Sequence, residues 1–277
     1  MQPKNICLVD SAADPRIAPY VSIRERDLTG RGDGRFIVEG RVTLGVLLER
    51  SRFEVESLFL CDTRVEPLSQ LLQQVPGGVP IYVAPQAVMD EVAGFNVHRG
   101  VLACARKGQS GTFRDISGPQ SALQADKTIL VLNQTSNHDN VGAAFRNAAA
   151  FGVDRVLLDA QSCDPLYRKS IRVSAGASLW LPFVHDGSGA EHILGLKAAG
   201  FTVWAMTPRS GATPLYKMEV PKKVAILLGA EGPGLPDDLI NAAVPVRIPM
   251  SAGFDSVNVA TAGAIALSYV FNARQMR

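Results

Sequence analysis

The chain alternates between short, nearly unbroken apolar runs and longer segments in which apolar residues recur every three or four positions. This pattern predicts two α/β series divided by a polar stretch. In the first series Phe36–Glu39, Val55–Cys61, Val79–Val83 and Val101–Arg106 read as strands. Between them Val42–Arg50, Pro67–Gln74 and Gln86–Val92 read as helices. Residues 1–35 are polar and irregular, with Pro3, Pro15, Pro19 and the glycine-rich Thr29–Arg35, and are expected to form extension and loop. Residues 107–127 carry few large apolar side chains and several breakers, which predicts a linker.

From Thr128 a second series begins. Strands are predicted at Ile129–Leu132, Arg155–Leu158, Thr202–Ala205, Val224–Leu228 and Val246–Ile248. Helices are predicted at Val141–Phe151, Ala190–Ala199, Asp237–Ala242 and Asn258–Ala273. These strands are apolar at almost every position, as parallel strands covered on both faces must be. The expected organisation is therefore an N-terminal extension and α/β unit over 1–106, a linker over 107–127 and a second α/β unit over 128–277.

Composition narrows the class without naming it. The chain has 277 residues, of which 47% are hydrophobic and 19% charged, as in ordinary globular domains. No apolar run approaches the roughly 20 residues that span a bilayer, and the first residues lack the basic start and apolar core of a secretory signal. A cytoplasmic protein with no membrane partner is expected. Cys7, Cys61, Cys104 and Cys163 form no close pair, and His98, His138, His185 and His192 are as dispersed, so neither a disulfide framework nor a metal site is expected. The net charge is only +2, yet between Arg16 and Arg52 eight arginines face five acids with no lysine. Arginine makes forked contacts to phosphate, although a solvated surface with salt bridges explains the same charges.

Three polar stretches follow buried strands in the second series. The first runs from Asn133 to Ala148, where Asp139 or Asn140 could cap the next helix. Arg146 lies inside that apolar helix, where a charge needs either an ion-pair partner or an anion to reach for. The second is Leu228-Gly229-Ala230-Glu231-Gly232-Pro233-Gly234-Leu235. Its spacing is neither a dinucleotide fingerprint nor a P-loop, which argues against a dehydrogenase or a nucleotide-binding enzyme. The third is Ile248-Pro249-Met250 followed by Asp255-Ser256-Val257-Asn258-Val259, where Ser256 or Asn258 could cap the last helix.

Together these stretches resemble the motifs of the SpoU/TrmH-type family of SPOUT methyltransferases. Asn140, Gly142 and Arg146 match its first motif, and Leu228 to Leu235 match its second. Ile248–Met250 with Ser256–Val259 match its third, with Val257 where leucine is usual. Lys169–Ala177 resembles a serine-alanine-glycine segment that the family carries between the first two motifs. The resemblance covers about residues 128–277. The first unit is similar to a small α/β substrate-binding fold like ribosomal protein L30e, carried by Gly34–Gly40 and His98–Val101.

The resemblance implies a SPOUT domain with a parallel sheet and a deep trefoil knot, joined to a smaller L30e-like α/β domain. It implies methyl transfer from S-adenosylmethionine to a ribose 2′-hydroxyl of tRNA or rRNA, with rRNA favoured. A catalytically inactive RNA-binding protein of the same fold is the alternative. It also implies a homodimer through the knot region, each site borrowing residues from its neighbour. The implied catalytic set is Arg146, Asn140, Glu231, Ser256 and Asn258. A guanidinium holds its proton at neutral pH, so Arg146 is expected to clamp the target phosphate rather than act as a base. For the cofactor, Gly229, Ile248 and Val257 would offer backbone groups. Ala205, Met206, Thr207, Leu228, Gly232 and Met250 would complete that site. Arg24, Arg26, Arg35 and Arg99 are the expected RNA contacts.

Overall fold

The computed structural model describes residues 5–21, 23, 34–94, 97, 99–108 and 126–276. Up to residue 108 the elements are β1 (Ile6–Leu8), β2 (Arg35–Glu39), α1 (Arg41–Glu49), β3 (Glu54–Cys61), α2 (Asp62–Val65), α3 (Ser69–Leu72), β4 (Ile81–Ala84), α4 (Gln86–Ala93) and β5 (Val101–Arg106). Then follow β6 (Lys127–Leu132), α5 (His138–Ala150), β7 (Arg155–Leu158), α6 (Arg168–Val173), β8 (Phe183–His185) and α7 (Gly189–Ala198). The chain ends with β9 (Thr202–Met206), β10 (Thr213–Pro214), β11 (Lys223–Leu228), α8 (Asp237–Asn241), β12 (Val244–Arg247) and α9 (Val259–Gln275). Contacts divide the chain into two compact units. One holds Met1–Gln109 with Leu166–Trp180, and the other Ser110–Pro165 with Leu181–Arg277.

The first unit is a five-stranded sheet in the order β1-β4-β3-β5-β2, with β5 antiparallel to both neighbours. Its start departs from the expectation of an irregular extension. β1 pairs in parallel with β4, and Pro15–Tyr20 forms a 3₁₀ helix opened by Asp14, whose side chain accepts from Arg16 N. That helix buries Ile17 and Tyr20 completely. The Tyr20 hydroxyl donates to the Ser57 carbonyl at 2.9 Å and accepts from Cys104 N at 3.1 Å, which satisfies a phenol held out of water. A three-residue strand and a single 3₁₀ helix hold too few positions to show a period. The helix expected over Pro67–Gln74 is instead the two short turns α2 and α3. The expected linker lies almost wholly in residues 109–125, outside the described residues.

Residues 166–180 belong to this unit although they sit in the middle of the second half of the sequence. Arg168 on α6 bonds the Glu39 carboxylate, and Arg172 approaches the same group at 3.8 Å. Gly176, at φ +83°, lies so near Val46 that an added Cβ would meet it at 3.0 Å. The Arg50 guanidinium stacks 4.1 Å from the Trp180 ring centre, and Arg52 N donates to the Leu179 carbonyl. Deleting residues 1–106 would therefore strip this segment of its packing. Glu39 is only 6% exposed. Glu39→Ala is expected to cost about 2 kcal/mol in urea unfolding, below the full cost of orphaning a buried partner because water still reaches part of Arg168 and more of Arg172.

The second unit is a seven-stranded sheet, parallel throughout, in the order β10-β12-β9-β11-β6-β7-β8. Ile129, Val131, Leu157, Val203, Ala205, Ala225 and Leu227 face a core closed by Ile193 and Leu196 of α7 and by Leu239 and Ile240 of α8. α9 packs against β11 and α5. Its Gly263 brings the helix so close that an added Cβ would stand 2.8 Å from Leu228 Cδ1. At the far end of α9, Arg274 donates to the Lys127 and Lys222 carbonyls, each at 2.9 Å. Among the described residues no helix is long and apolar enough to cross a membrane.

Candidate active site

In an open parallel sheet, ligands bind beyond the carboxyl ends of the strands. β9, β11 and β12 end there together, and a cavity of about 490 Å³ opens among the segments that follow them.

The segment after β11 folds back on itself. Gly234 N donates to the Ala230 carbonyl at 3.2 Å. Gly232 and Gly234 take φ of +83° and +71°, the region that favours glycine. Gly229 is glycine for a different reason. A Cβ there would sit 2.4 Å from Gly234 C and 2.5 Å from Leu235 N, so the turn closes over a bare Cα. After β12, Ile248 and Met250 line the cavity, and Ser256, Val257 and Asn258 return along its rim into α9.

Asn258 caps α9, its Oδ1 accepting from Ala260 N at 2.9 Å and Thr261 N at 3.3 Å. Its Nδ2 donates to Asn140 Oδ1 at 2.9 Å and lies 3.5 Å from Glu231 Oε1. Asn140 Nδ2 donates to the same Glu231 oxygen. One residue from each of the three polar stretches thus meets in a single hydrogen-bonded group. The cap of α5 is neither Asp139 nor Asn140 but Asn137, whose Oδ1 accepts from Asp139 N at 2.8 Å. Starting the helix earlier places Asn140 in its first turn, buried, with its amide free to reach Glu231.

Of the expected cofactor residues, Met206, Thr207, Leu228, Gly229, Gly232, Ile248, Met250 and Val257 line the cavity. Ala205 does not; it is fully buried within β9. Glu231, Ser256 and Asn258 line it too, and Asn140 joins them through its hydrogen bonds. Arg146 is not brought to this cavity. It is exposed on α5 with no ion-pair or hydrogen-bond partner among the described residues. Arg35 is engaged by Glu56 at 2.6 Å, which also holds Arg106, and the two arginines keep that carboxyl below the usual range against the upward push of burial. Arg99 is exposed and lies over the bare Cα of Gly40, while Arg24 and Arg26 fall outside the described residues. Sequence reasoning missed Arg209, the one cationic side chain among the described residues of the cavity lining. A lone arginine in a loop carries no spacing to mark it.

Residues 127–268 match the model of the SpoU rRNA methylase family. The chain belongs to this family. An uncharacterized tRNA/rRNA methyltransferase of Mycobacterium bovis is 38% identical over 260 residues, covering 91% of this chain and 87% of that protein. The 23S rRNA (guanosine-2′-O-)-methyltransferase RlmB of Acinetobacter baylyi is 30% identical over 229 residues, covering 80% and 90%. The AdoMet-bound rRNA methyltransferase of Sinorhizobium meliloti shares the fold, with a TM-score of 0.80, 23% identity and 98% of each chain covered.

Proposed function

We propose that this SpoU-family methyltransferase uses S-adenosylmethionine to methylate a ribose 2′-hydroxyl of structured RNA, rRNA before tRNA. The observation that carries this reading is the Asn140–Glu231–Asn258 group at the rim of a cavity lined largely by apolar side chains and glycine-rich backbone. The RlmB relative, which acts on a ribose of 23S rRNA, supports the acceptor class.

The cavity suits the cofactor. Its volume falls within the roughly 300–1,000 Å³ of small-molecule sites, and Met206, Leu228, Ile248 and Met250 offer apolar walls to a nucleoside. Backbone groups of Gly229, Ile248 and Val257 hold the base. The bound cofactor supplies a methyl group activated by its sulfonium. What remains for the chain is to align a weak nucleophile, and alignment alone can supply roughly 7–11 kcal/mol of a barrier. Asn140, Glu231 and Asn258 keep the rim in register, and Ser256 lies beside the acceptor. Arg146 clamps the target phosphate, and the proton leaves to phosphate or water.

Arg146 does this for a neighbouring subunit in a homodimer. That reading is supported by its exposure and its place outside its own cavity. It is supported too by the part-exposed apolar side chains Ile265 and Phe271 on α9. The last segment of the chain threads a trefoil knot, a reading supported by the path from β12, beyond β9, back to α9 over β11. RNA is also held on the first unit, where arginines gather at one end of the sheet. Arg64 lies over Gly100, Arg99 over Gly40, and the more exposed Arg172 lies beside Glu39. Such groups neutralise backbone phosphates. The work is done in the cytoplasm.

Tritiated S-adenosylmethionine supplied with bulk rRNA and tRNA tests the reading. Label is expected in RNA, resistant to base removal and located on ribose. Cofactor binding without transfer to any RNA would instead identify an inactive binder, and no cofactor binding would refute the reading outright.

A further inference from the structure

Among the described residues lining the cavity, Arg209 and Glu231 are the only charged side chains. Glu231 is bonded to Asn140 and approached by Asn258. Arg209 pairs with Asp237 at the start of α8, and both side chains are well exposed, at 45% and 78%. Pairs this open to water hold weakly. The loop that carries Arg209 is pinned. Thr207 N donates to the Val246 carbonyl at 2.9 Å, Ala212 N to the Arg209 carbonyl at 3.0 Å, and Arg247 Nε to the Ala212 carbonyl at 3.1 Å. The structure thus holds a guanidinium at the cavity on an anchored loop, with a partner that is easily exchanged.

We infer that Arg209 is the carboxylate receptor of the cavity, exchanging Asp237 for the α-carboxylate of the methyl donor's amino-acid end. The inference rests on the methyl-donor reading given above. A guanidinium fork matches a carboxylate in two parallel hydrogen bonds, and beside the Glu231 carboxylate the rest of the described lining is apolar side chain, hydroxyl, amide and backbone. No other described residue of the lining answers a carboxylate with a full positive charge. Asp237 competes for the same fork, so it sets how much of the cation's attraction a ligand feels.

Calorimetry on the full chain with S-adenosylmethionine and with decarboxylated S-adenosylmethionine isolates the carboxylate, because the second ligand keeps the nucleoside, the sulfonium and the amine. The wild type is expected to prefer the carboxylated ligand by about tenfold or more, the scale of one charge-assisted contact. Arg209→Ala is expected to abolish that preference while leaving the affinity for the decarboxylated ligand unchanged. Arg209→Lys restores part of it, and Asp237→Asn enlarges it. An undiminished preference in Arg209→Ala overturns the inference, as does an equal loss for both ligands, or a loss of RNA affinity alone. A wild type that binds neither ligand fails at the methyl-donor reading itself, which separates the two failures.

Discussion

Arg146→Ala is expected to lower methyl transfer by about a hundredfold or more, the scale on which a misplaced acceptor slows an aligned reaction, while cofactor affinity stays at the wild-type level. The separation follows from position. Arg146 is on the exposed side of α5 and contributes nothing to the cavity lining. Single-turnover transfer and calorimetry on the same preparation check it, and a folded variant that loses cofactor binding contradicts the clamp. A mixed dimer carries the argument further. One subunit carries Arg146→Ala and the other a cavity weakened by Gly229→Ala, with cofactor supplied below the level that would fill the weakened cavity. If each arginine serves its neighbour, the intact arginine and the intact cavity meet in one working site, and transfer returns. If each serves its own cavity, the mixture stays as inactive as either parent.

The parts of this protein legible in the sequence are those whose cause is local. Val224–Leu228 is apolar at every position because β11 is central in the sheet and covered on both faces, and each of those residues is buried. β1, β8 and β10 were not legible; they are strands of two or three residues at sheet edges, too short to show a period. α6 escaped for another reason. Its residues pack against β2, far away in sequence, so their burial has no local pattern. The site divides in the same way. The glycines of the turn after β11 are visible one by one, but their different duties are not. The cap of α5 was misplaced because Asn137, Asp139 and Asn140 are all chemically able to cap. The choice among them lies with Glu231, 91 residues further on, which takes the amide of Asn140.

Those separate duties of the glycines give the second large effect. Gly229→Ala is expected to weaken cofactor binding by about 10- to 100-fold and to cost about 1–3 kcal/mol of stability, the range for forcing a methyl group into a filled space. The atoms in its way are Gly234 C at 2.4 Å, Leu235 N at 2.5 Å and Gly234 O at 2.6 Å, all of them backbone. No side chain can swing aside, so the turn must open, and opening it moves the cavity wall and Glu231 together. Gly232→Ala and Gly234→Ala are the controls. A Cβ at either meets no described residue within 4 Å, so the left-handed backbone is what opposes the change, at about 1 kcal/mol. Thermal unfolding and calorimetry on the three variants separate the cases. If all three lose cofactor affinity equally, backbone conformation rather than the close approach at Gly229 shapes the cavity. If Gly229→Ala alone loses it, the bare Cα under the turn is what holds the wall in place, and Glu231 with it.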